Sequence, residues 1–429
     1  MIPATTVSKI YSTLGNNNSL VPLAIKDVAN SAGITTGSYI TGDKLEGKDR
    51  FIDEFGTQAI WLFGLPVYKK IADLSMYKMF GIDSKFDVRN LKDKEVMKKT
   101  IEYAPTKEIK ESLENIAKNQ KLTKNLALAK FGLATALTIA SYAGLTKYRQ
   151  NYRKNAAKKE VLKTQEELKN KTTDTSIIKP DITTFGNKNK SNKPSFKGGI
   201  QDFMFSPVKN LMIVDGAITT ERFAYAESKQ ELAGYIVKEG GIWAFMYLAS
   251  KPIQNFLENQ SDKKHNKSIA LDARVIESEE LKKAMGSRSI QKAIEEFPTN
   301  AKDAEIYDFV HKNPDNFIVQ MAKKSDIIDT MKDSEQIDTR KFIDTKKLIR
   351  IKEKIEKLDK QFMSSGENID TFLSKVKTLK RGAIIGNILA CVGALGIVVP
   401  AIMVGIRKLD KDNSEYKVME NAKKELGVA

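Results

Sequence analysis

An uncharged run near the C-terminal end constrains this chain more than any other feature. Residues 382–406, GAIIGNILACVGALGIVVPAIMVGI, hold no charged side chain over 25 positions, and a basic pair flanks them at each end. As an α-helix the run is about 37 Å long, which exceeds the roughly 30 Å hydrocarbon core of a bilayer. A helix of a soluble protein needs a polar face, and this one has none. The run therefore predicts a transmembrane helix within residues 380–408.

A second apolar segment covers residues 126–145, LALAKFGLATALTIASYAGL. Its one charged residue, Lys130, lies close enough to an end to reach the headgroups of a bilayer. The segment predicts a second span, and the alternative is a buried helix of a soluble domain. Basic residues crowd both of its flanks, so the rule that cytoplasmic flanks are the more positive does not choose an orientation.

Charge and cysteine content indicate the surroundings of the chain. The 429 residues carry a formal charge of +17, and lysine supplies most of the excess. Lysine suits acidic lipid headgroups, whereas arginine is the usual reader of nucleic-acid bases. We therefore expect anionic headgroups, and not nucleic acid, as a partner. The single cysteine, Cys391, excludes an intramolecular disulfide. Residues 1–45 resemble no cleavable signal and predict a flexible polar N-terminus. A bacterial cytoplasmic membrane is the expected location.

Two shorter apolar segments each contain one of the two tryptophans of the chain. They are residues 55–68 and residues 240–250. The first is about 21 Å long as a helix, too short to cross a bilayer, and the second is shorter. Aromatic residues at their edges suit re-entrant or interfacial helices, and the core of a soluble helical domain explains them equally well.

The chain shows signs of an internal duplication. Residues 46–90 contain Arg-Phe, then Trp61, then a proline, then Asp-x-Arg, and a span follows. Residues 200–265 and those just after them repeat this order around Trp243. The spacings agree between the proline and Asp-x-Arg but differ around the tryptophans. Repeats of this kind are common in membrane proteins.

The remaining segments are polar or amphipathic. Residues 150–199 predict a linker that is rich in Lys, Asn and Thr, cannot bury enough surface to fold, and extends the preceding helix at its start. Residues 266–379 predict a soluble helical region, and residues 409–429 a basic tail. Heptads over residues 348–379 predict either one coiled-coil stalk or two helices that turn at Ser364-Ser365-Gly366 and pack on this region. Lysines at the flanking positions favour the second interpretation.

A search for catalytic or metal-binding motifs gives mostly negative results. His265 and His311 have no partner at metal-ligand spacing, and neither a phosphate-binding loop nor a nucleophile elbow is present. We therefore expect no enzyme activity, cofactor or metal. Glu54 and Glu239 stand before the two tryptophan segments, where a carboxylate could bind an ion or a proton. Stabilisation of a helix N-terminus through the helix dipole is the favoured interpretation.

Small residues recur every four positions along both apolar spans. Small side chains at this period let helix backbones approach closely in lipid, so these residues predict a helix-packing surface, either between the spans or across an oligomer. The predicted packing residues are Gly132, Ala136, Ala140, Gly144, Gly382, Gly386, Ala390 and Ala394.

The sequence thus predicts an all-α integral membrane protein with two probable transmembrane helices and two short tryptophan-bearing segments. Its expected role is that of a membrane-anchored structural or interaction protein, with an unknown protein or a second copy as partner. The alternative is an oligomeric transporter or translocation component built from the internal repeat. With two crossings, both termini would lie on the same side of the membrane.

Overall fold

The computed structural model of the protein describes residues 4–16, 19–41, 44–169, 206–224, 226, 229–408 and 414–427. Within these ranges the fold is all-α, which confirms the predicted fold class. The only β-type pairing there is an isolated antiparallel bridge between Thr330 and Ile337. The helices form a long bundle with a helical domain at one end, which we call the domain end. The opposite end of the bundle is the tail end.

The first half of the bundle contains three long helical segments. Helix α2 (Leu20–Thr41) runs from the domain end to the tail end. Helix α3 (Lys44–Ala59) returns and continues through a π-helical turn (Ile60–Gly64) into α4 (Leu65–Ala72), which is followed by a second π-helical turn (Asp73–Tyr77). Helix α7 (Gln120–Lys169) then runs back to the tail end.

Contacts at both ends show that the α3–α4 rod and α7 are antiparallel. Arg149 contacts Asp49 at 3.2 Å near the tail end, and Lys130 contacts Asp73 at 2.5 Å near the domain end. The rod is therefore about as deep as the apolar part of α7. Residues 55–68 form the middle of this rod and not a short separate helix, because the charged residues that seemed to end the segment are inside the helix.

The second half repeats the order and the direction of the first. Helix α8 (Pro207–Ala224) runs toward the tail end. Helix α9 (Lys229–Gly241) returns through a third π-helical turn (Ile242–Leu248) into α10 (Ser250–His265). The last rod consists of α17 (Ile369–Gly393), a fourth π-helical turn (Ala394–Val398) and α18 (Val399–Lys408). Residues 240–250 thus also lie inside a long helical rod.

The α3–α4 rod contains Trp61 and the α9–α10 rod contains Trp243, and we call these two the tryptophan rods. Both are followed by the same local structure. Asp87 caps a short 3₁₀ helix (Val88–Lys92) through the amide of Arg89 and contacts the Arg89 guanidinium at 2.6 Å. Asp272 likewise caps α11 (Ala273–Ile276) through the amide of Arg274 and contacts its guanidinium at 3.2 Å. The Asp-x-Arg sequences seen in both halves therefore act as matching helix caps at the domain end.

The helical domain contains two apolar cores and is formed by two stretches of the chain. The first stretch supplies α5 (Lys94–Glu102) and α6 (Lys107–Lys118), and the second supplies the helices between α11 and the last rod. Val96 of α5 belongs to the larger core with the second stretch, whereas α6 belongs to the smaller core. These are α12 (Glu279–Ala284), α13 (Arg288–Glu296), α14 (Asp303–Lys312), α15 (Phe317–Lys324) and α16 (Thr345–Ser365). Tyr103 donates a hydrogen bond to Asp308 at 2.6 Å and joins the two stretches.

The heptad segment is not a continuous stalk. Helix α16 ends at Ser365, and Gly366 adopts a left-handed conformation with φ of 63°. A side chain is strained at such an angle, which is why glycine suits this turn. Leu348 and Ile355 before the turn and Phe372 and Val376 after it are buried in the same domain core. The apolar period therefore reflects packing on the domain.

The N-terminal region is ordered helix, in contrast to the expected flexible polar segment. Helix α1 (Ala4–Gly15) packs on the domain, where Ser12 donates a hydrogen bond to Asp272 at 2.7 Å. One face of α2 packs between α3 and the last rod, and the opposite face, which includes Val28, is exposed. Ser31, Thr35 and Ser38 are buried, so the polar composition of this segment reflects helix packing.

The tail end contains the extension of α7 and helix α19 (Ser414–Glu425). Lys154 and Lys158 of α7 contact Glu425 at 2.8 Å and 2.7 Å. The start of the predicted linker thus continues α7, as expected, and residues 170–199 of the linker lie outside the described residues. Because α1 lies at the domain end and α19 at the tail end, the two ends of the described chain are at opposite ends of the bundle.

Candidate functional site

A buried network of charged side chains fills the interface between the two halves. Asp53 of α3 is 4% exposed and forms its centre. One of its oxygens lies 2.7 Å from Arg149 and 3.5 Å from Arg222, and the other lies 3.9 Å from Lys238 and 4.0 Å from Arg50. The first half supplies Arg50 and Arg149, and the second half supplies Arg222 and Lys238. Asp53 therefore joins the halves electrostatically.

Two further ion pairs complete the network. Lys238, which is 1% exposed, donates a short hydrogen bond to Glu54 across the interface. Arg222 donates a short hydrogen bond to Glu239 within the second half, and Thr219 donates to the same carboxylate at 3.0 Å. Buried ions are tolerated where such partners offset their lost hydration.

The structure does not support the helix-dipole interpretation of Glu54 and Glu239. Glu54 lies in the interior of α3, and Glu239 lies near the C-terminal end of α9. Neither is in a first helical turn, where a carboxylate would be stabilised by the dipole. Both are inside the bundle and face cations from the second half.

Asp27 and Asp215 occupy similar places in the two halves. Asp27 of α2 accepts a hydrogen bond of 2.9 Å from Trp61 Nε1, in the first π-helical turn. Asp215 of α8 accepts a short hydrogen bond from the Tyr247 hydroxyl, in the third π-helical turn (Ile242–Leu248). Each aspartate is therefore bound by a neutral aromatic donor from the rod that follows it. No local sequence signal pairs these residues, because 34 and 32 positions separate them.

Two cavities lie in line along the interface. The inner cavity, of about 20 Å³, is lined by Asp27, Glu54, Asp215, Arg222, Lys238 and Glu239 together with apolar and aromatic groups. The outer cavity, of about 80 Å³, lies nearer the tail end, and Arg149, Gln150 and Arg153 are among its lining residues. Thr57, Ile218 and Arg222 line both, so these three side chains separate the outer cavity from the inner one.

An apolar cluster closes the inner cavity on the side of the domain. It consists of Leu23, Trp61, Leu211, Ile242, Met246 and Leu395, all less than 10% exposed. The polar lining of the two cavities therefore lies between the tail end and this cluster. The arrangement can hold a water molecule or a small ion at mid-depth.

The predicted packing stripe of α7 lies on an outer face of the bundle. Gly132, Ala136, Ala140 and Gly144 are all exposed, and no atom lies within 4 Å of a Cβ built on either glycine. The face that α7 buries contains Ala134, Thr138 and Tyr142, two positions away. Packing of this stripe on a second molecule stays a prediction.

The stripe of the last rod makes one moderately close contact. A Cβ built on Gly386 would lie 3.8 Å from Leu257 of α10, whereas one built on Gly382 meets nothing within 4 Å. Ala390 is exposed and Ala394 is half-buried.

The closest helix packing involves small residues that the sequence reading passed over. A Cβ built on Gly33 of α2 would lie 2.3 Å from the Gly396 carbonyl oxygen, and one built on Gly37 would lie 3.2 Å from Val404. A Cβ on Gly396 would in turn lie 3.1 Å from the Ala29 carbonyl oxygen. Ala29, Gly33 and Gly37 recur every four residues, so this signal was present in a segment regarded as disordered.

Metal ligands are not grouped within the part of the chain that the structure describes: no cluster of three His, Cys, Asp or Glu side chains could hold an ion there. Cys391 is buried in the last rod, near Asn387 and Lys26. No protein-family model, no curated protein and no solved structure matches the chain.

Proposed function

We propose that the bundle is embedded in a membrane. Residues Gln120–Glu166 and Ile369–Ile406 are each long and apolar enough to cross one, and only 28% of the most apolar window of either helix is buried. A core helix of a soluble protein would be mostly buried. Large apolar side chains of other bundle helices are exposed as well, among them Val28, Leu74 and Leu248. Lipid around the bundle would remove this apolar surface from water.

We further propose that the bundle consists of two parallel repeats. The observation in favour is that each half has the same order of helix, tryptophan rod with π-helical turn, Asp-x-Arg cap and apolar rod, all in the same direction. Parallel repeats related by an axis along the membrane normal occur in transporters, with the binding site near the midplane at their interface.

The function that this geometry supports best is transport or translocation of a small charged species through the repeat interface. One observation carries the proposal: a network of ionised side chains lies at the depth of the apolar surface and borders two cavities in line. Charged groups at membrane depth are costly and usually mark a pathway for ions, protons or a solute.

The test is flux through the full-length protein in sealed vesicles. Ionic or proton gradients are imposed, and release is compared with that of vesicles that contain Arg222→Gln protein. Because Arg222 separates the cavities, its replacement should change the rate, whereas Lys292→Gln on the domain surface should not. Vesicles that stay as tight as protein-free ones under all gradients would reject transport.

A second candidate is a membrane-anchored interaction protein without catalytic activity, located in a bacterial cytoplasmic membrane and near anionic headgroups. The observation in its favour is the helical domain, a folded unit with its own core at one end of the bundle. Photo-crosslinkers at the exposed Lys98 and Lys292 of the domain test it, with Lys154 at the tail end as control. A protein captured from domain positions alone would support an interaction role.

A further inference from the structure

The charges around the inner cavity do not balance. The network at the interface contains six carboxylates and four cations, and each cation lies within 4.0 Å of at least one of the same four carboxylates. Those four are Asp49, Asp53, Glu54 and Glu239. Asp27 and Asp215 remain, each with a neutral donor. With every group ionised, the interface would carry an excess of two negative charges.

Asp27 is 9% exposed and Asp215 is half-buried, so an excess of two negative charges there is unfavourable because little bulk water screens them. Glu54 and Glu239 contribute further negative charge near Asp27 and Asp215 respectively, and Arg222 and Lys238 are already paired with other carboxylates. The buried Lys26 contacts Cys391 on a different face of α2. Like charges and low hydration both favour the neutral form of a carboxylic acid.

We propose that Asp27 and Asp215 form a proton-binding site at the interface between the two halves. Each carboxylate takes up one proton and becomes a neutral acid, and each proton leaves by the reverse step. The inner cavity is large enough for a single water molecule, which can pass protons between the two acids and the Arg222 side of the interface. The outer cavity lies between this site and the tail end, with Thr57, Ile218 and Arg222 between the two cavities. The proton-binding site deepens the proposed function, because it makes the transported or coupled species a proton.

The geometry also gives a direct reporter of one site. The chain contains two tryptophans, and only Trp61 bonds Asp27. In a Trp243→Phe background, Trp61 is the single indole, and its N–H donates either to a carboxylate or to a neutral acid. Protonation of Asp27 should therefore change the fluorescence of Trp61.

The experiment is a pH titration of Trp61 fluorescence in the purified full-length protein, from about pH 4 to about pH 9. We expect one transition in the Trp243→Phe protein and its loss in Asp27→Asn, which resembles the protonated form. Asp215→Asn should keep the transition and move its midpoint down by about one pH unit, because a negative neighbour is removed. Glu111→Gln, an exposed acid of α6, should leave the midpoint unchanged.

Three results would overturn the proposal. One is a Trp61 signal that does not change over this range in protein whose helical content is intact. Another is a transition that persists in Asp27→Asn. The last is a saturable response to Na⁺, but not to K⁺, at constant pH, since it would identify the ligand as a metal ion.

Measurements of proton flux distinguish a failure of the proton-binding site from a failure of the proposed transport function. A titrating Trp61 in a protein that moves no protons would support the site and reject transport. Proton flux that is the same in Asp27→Asn and Asp215→Asn as in the parent protein would keep transport and reject the site.

Discussion

At the residue scale, the buried ion pairs make the interface sensitive to single substitutions. Glu54 and Lys238 are 4% and 1% exposed and form a pair between the two halves. Removal of one partner leaves an uncompensated charge in a region with little water, which costs more than the intact pair contributes. Their positions in the sequence say nothing of this pairing, because 184 residues separate them.

Glu54→Gln should therefore lower the free energy of unfolding by about 3–5 kcal/mol. Removal of both charges in Glu54→Gln/Lys238→Met should recover a large part of this loss. Chemical denaturation of the detergent-solubilised protein measures the free energy of unfolding of both variants. Glu111→Gln, at an exposed position, is the reference and should stay within about 0.5 kcal/mol of the parent protein. A Glu54→Gln protein as stable as the reference would mean that the pair is not buried in solution.

The stability of the helical domain should depend on pH because of His311. Its ring stacks between Tyr103 and Tyr307, and burial lowers the pKa of His311 below its ordinary value. The unfolded chain then binds a proton more readily than the folded one. Stability should be complete above about pH 6.5 and should fall as the pH drops through the lower folded-state pKa.

Thermal unfolding at several pH values tests the His311 prediction. In His311→Gln the change between about pH 7 and about pH 5 should be smaller than in the parent protein. The exposed His265→Gln is the matched control and should keep the parental dependence. If the thermal stability of all three proteins changed equally with pH, groups other than His311 would cause the pH dependence.

At the element scale, small residues decide which helices touch. Helix α2 packs on the last rod through Gly33, where even a Cβ meets the Gly396 carbonyl oxygen. Gly132 belongs to an equally regular stripe but faces outward. Small residues at every fourth position therefore mark a helix face that allows close packing. Which of these faces contacts another helix depends on where the neighbouring helices lie.

Gly33→Leu and Gly132→Leu form a matched pair. We expect Gly33→Leu to separate α2 from the last rod and to lower the melting temperature in detergent by several degrees. Gly132→Leu should leave the monomer as stable as before and should reduce self-association if the α7 stripe packs on a second copy. Analytical ultracentrifugation and thermal unfolding distinguish the two effects. A stable Gly33→Leu protein would contradict the observed packing.

At the scale of the whole molecule, the placement of the helices changes the expected topology. Two crossings would leave both termini on one side, but the tryptophan segments are parts of long rods, and α1 and α19 lie at opposite ends of the bundle. In a membrane the number of crossings is therefore odd. Single cysteines at the exposed Lys9 and Lys423, in a Cys391→Ser background, should be labelled from opposite sides of sealed vesicles. Labelling from the same side would reject this topology.

Integration into the membrane has its own test. Alkaline carbonate should leave the protein in the membrane pellet, because in the proposed arrangement lipid covers the apolar outer surface. Leu389 is 62% exposed at the surface of the last rod, so Leu389→Arg should weaken insertion by about 2.5–3.5 kcal/mol. Leu389→Phe at the same position keeps the surface apolar and should insert normally. Release of the parent protein into the supernatant would contradict the membrane proposal.

Features that depend on neighbouring residues could be predicted from the sequence. They are the all-α class, the two long apolar helices, and the turn at Gly366 as one of two alternatives. Periodicity, apolar length and turn residues are local properties, so they can be read along the chain. The burial of charged side chains depends on the tertiary structure. No sequence signal marks Asp27, Glu54 and Lys238 as buried, because the partners that offset their burial come from distant helices.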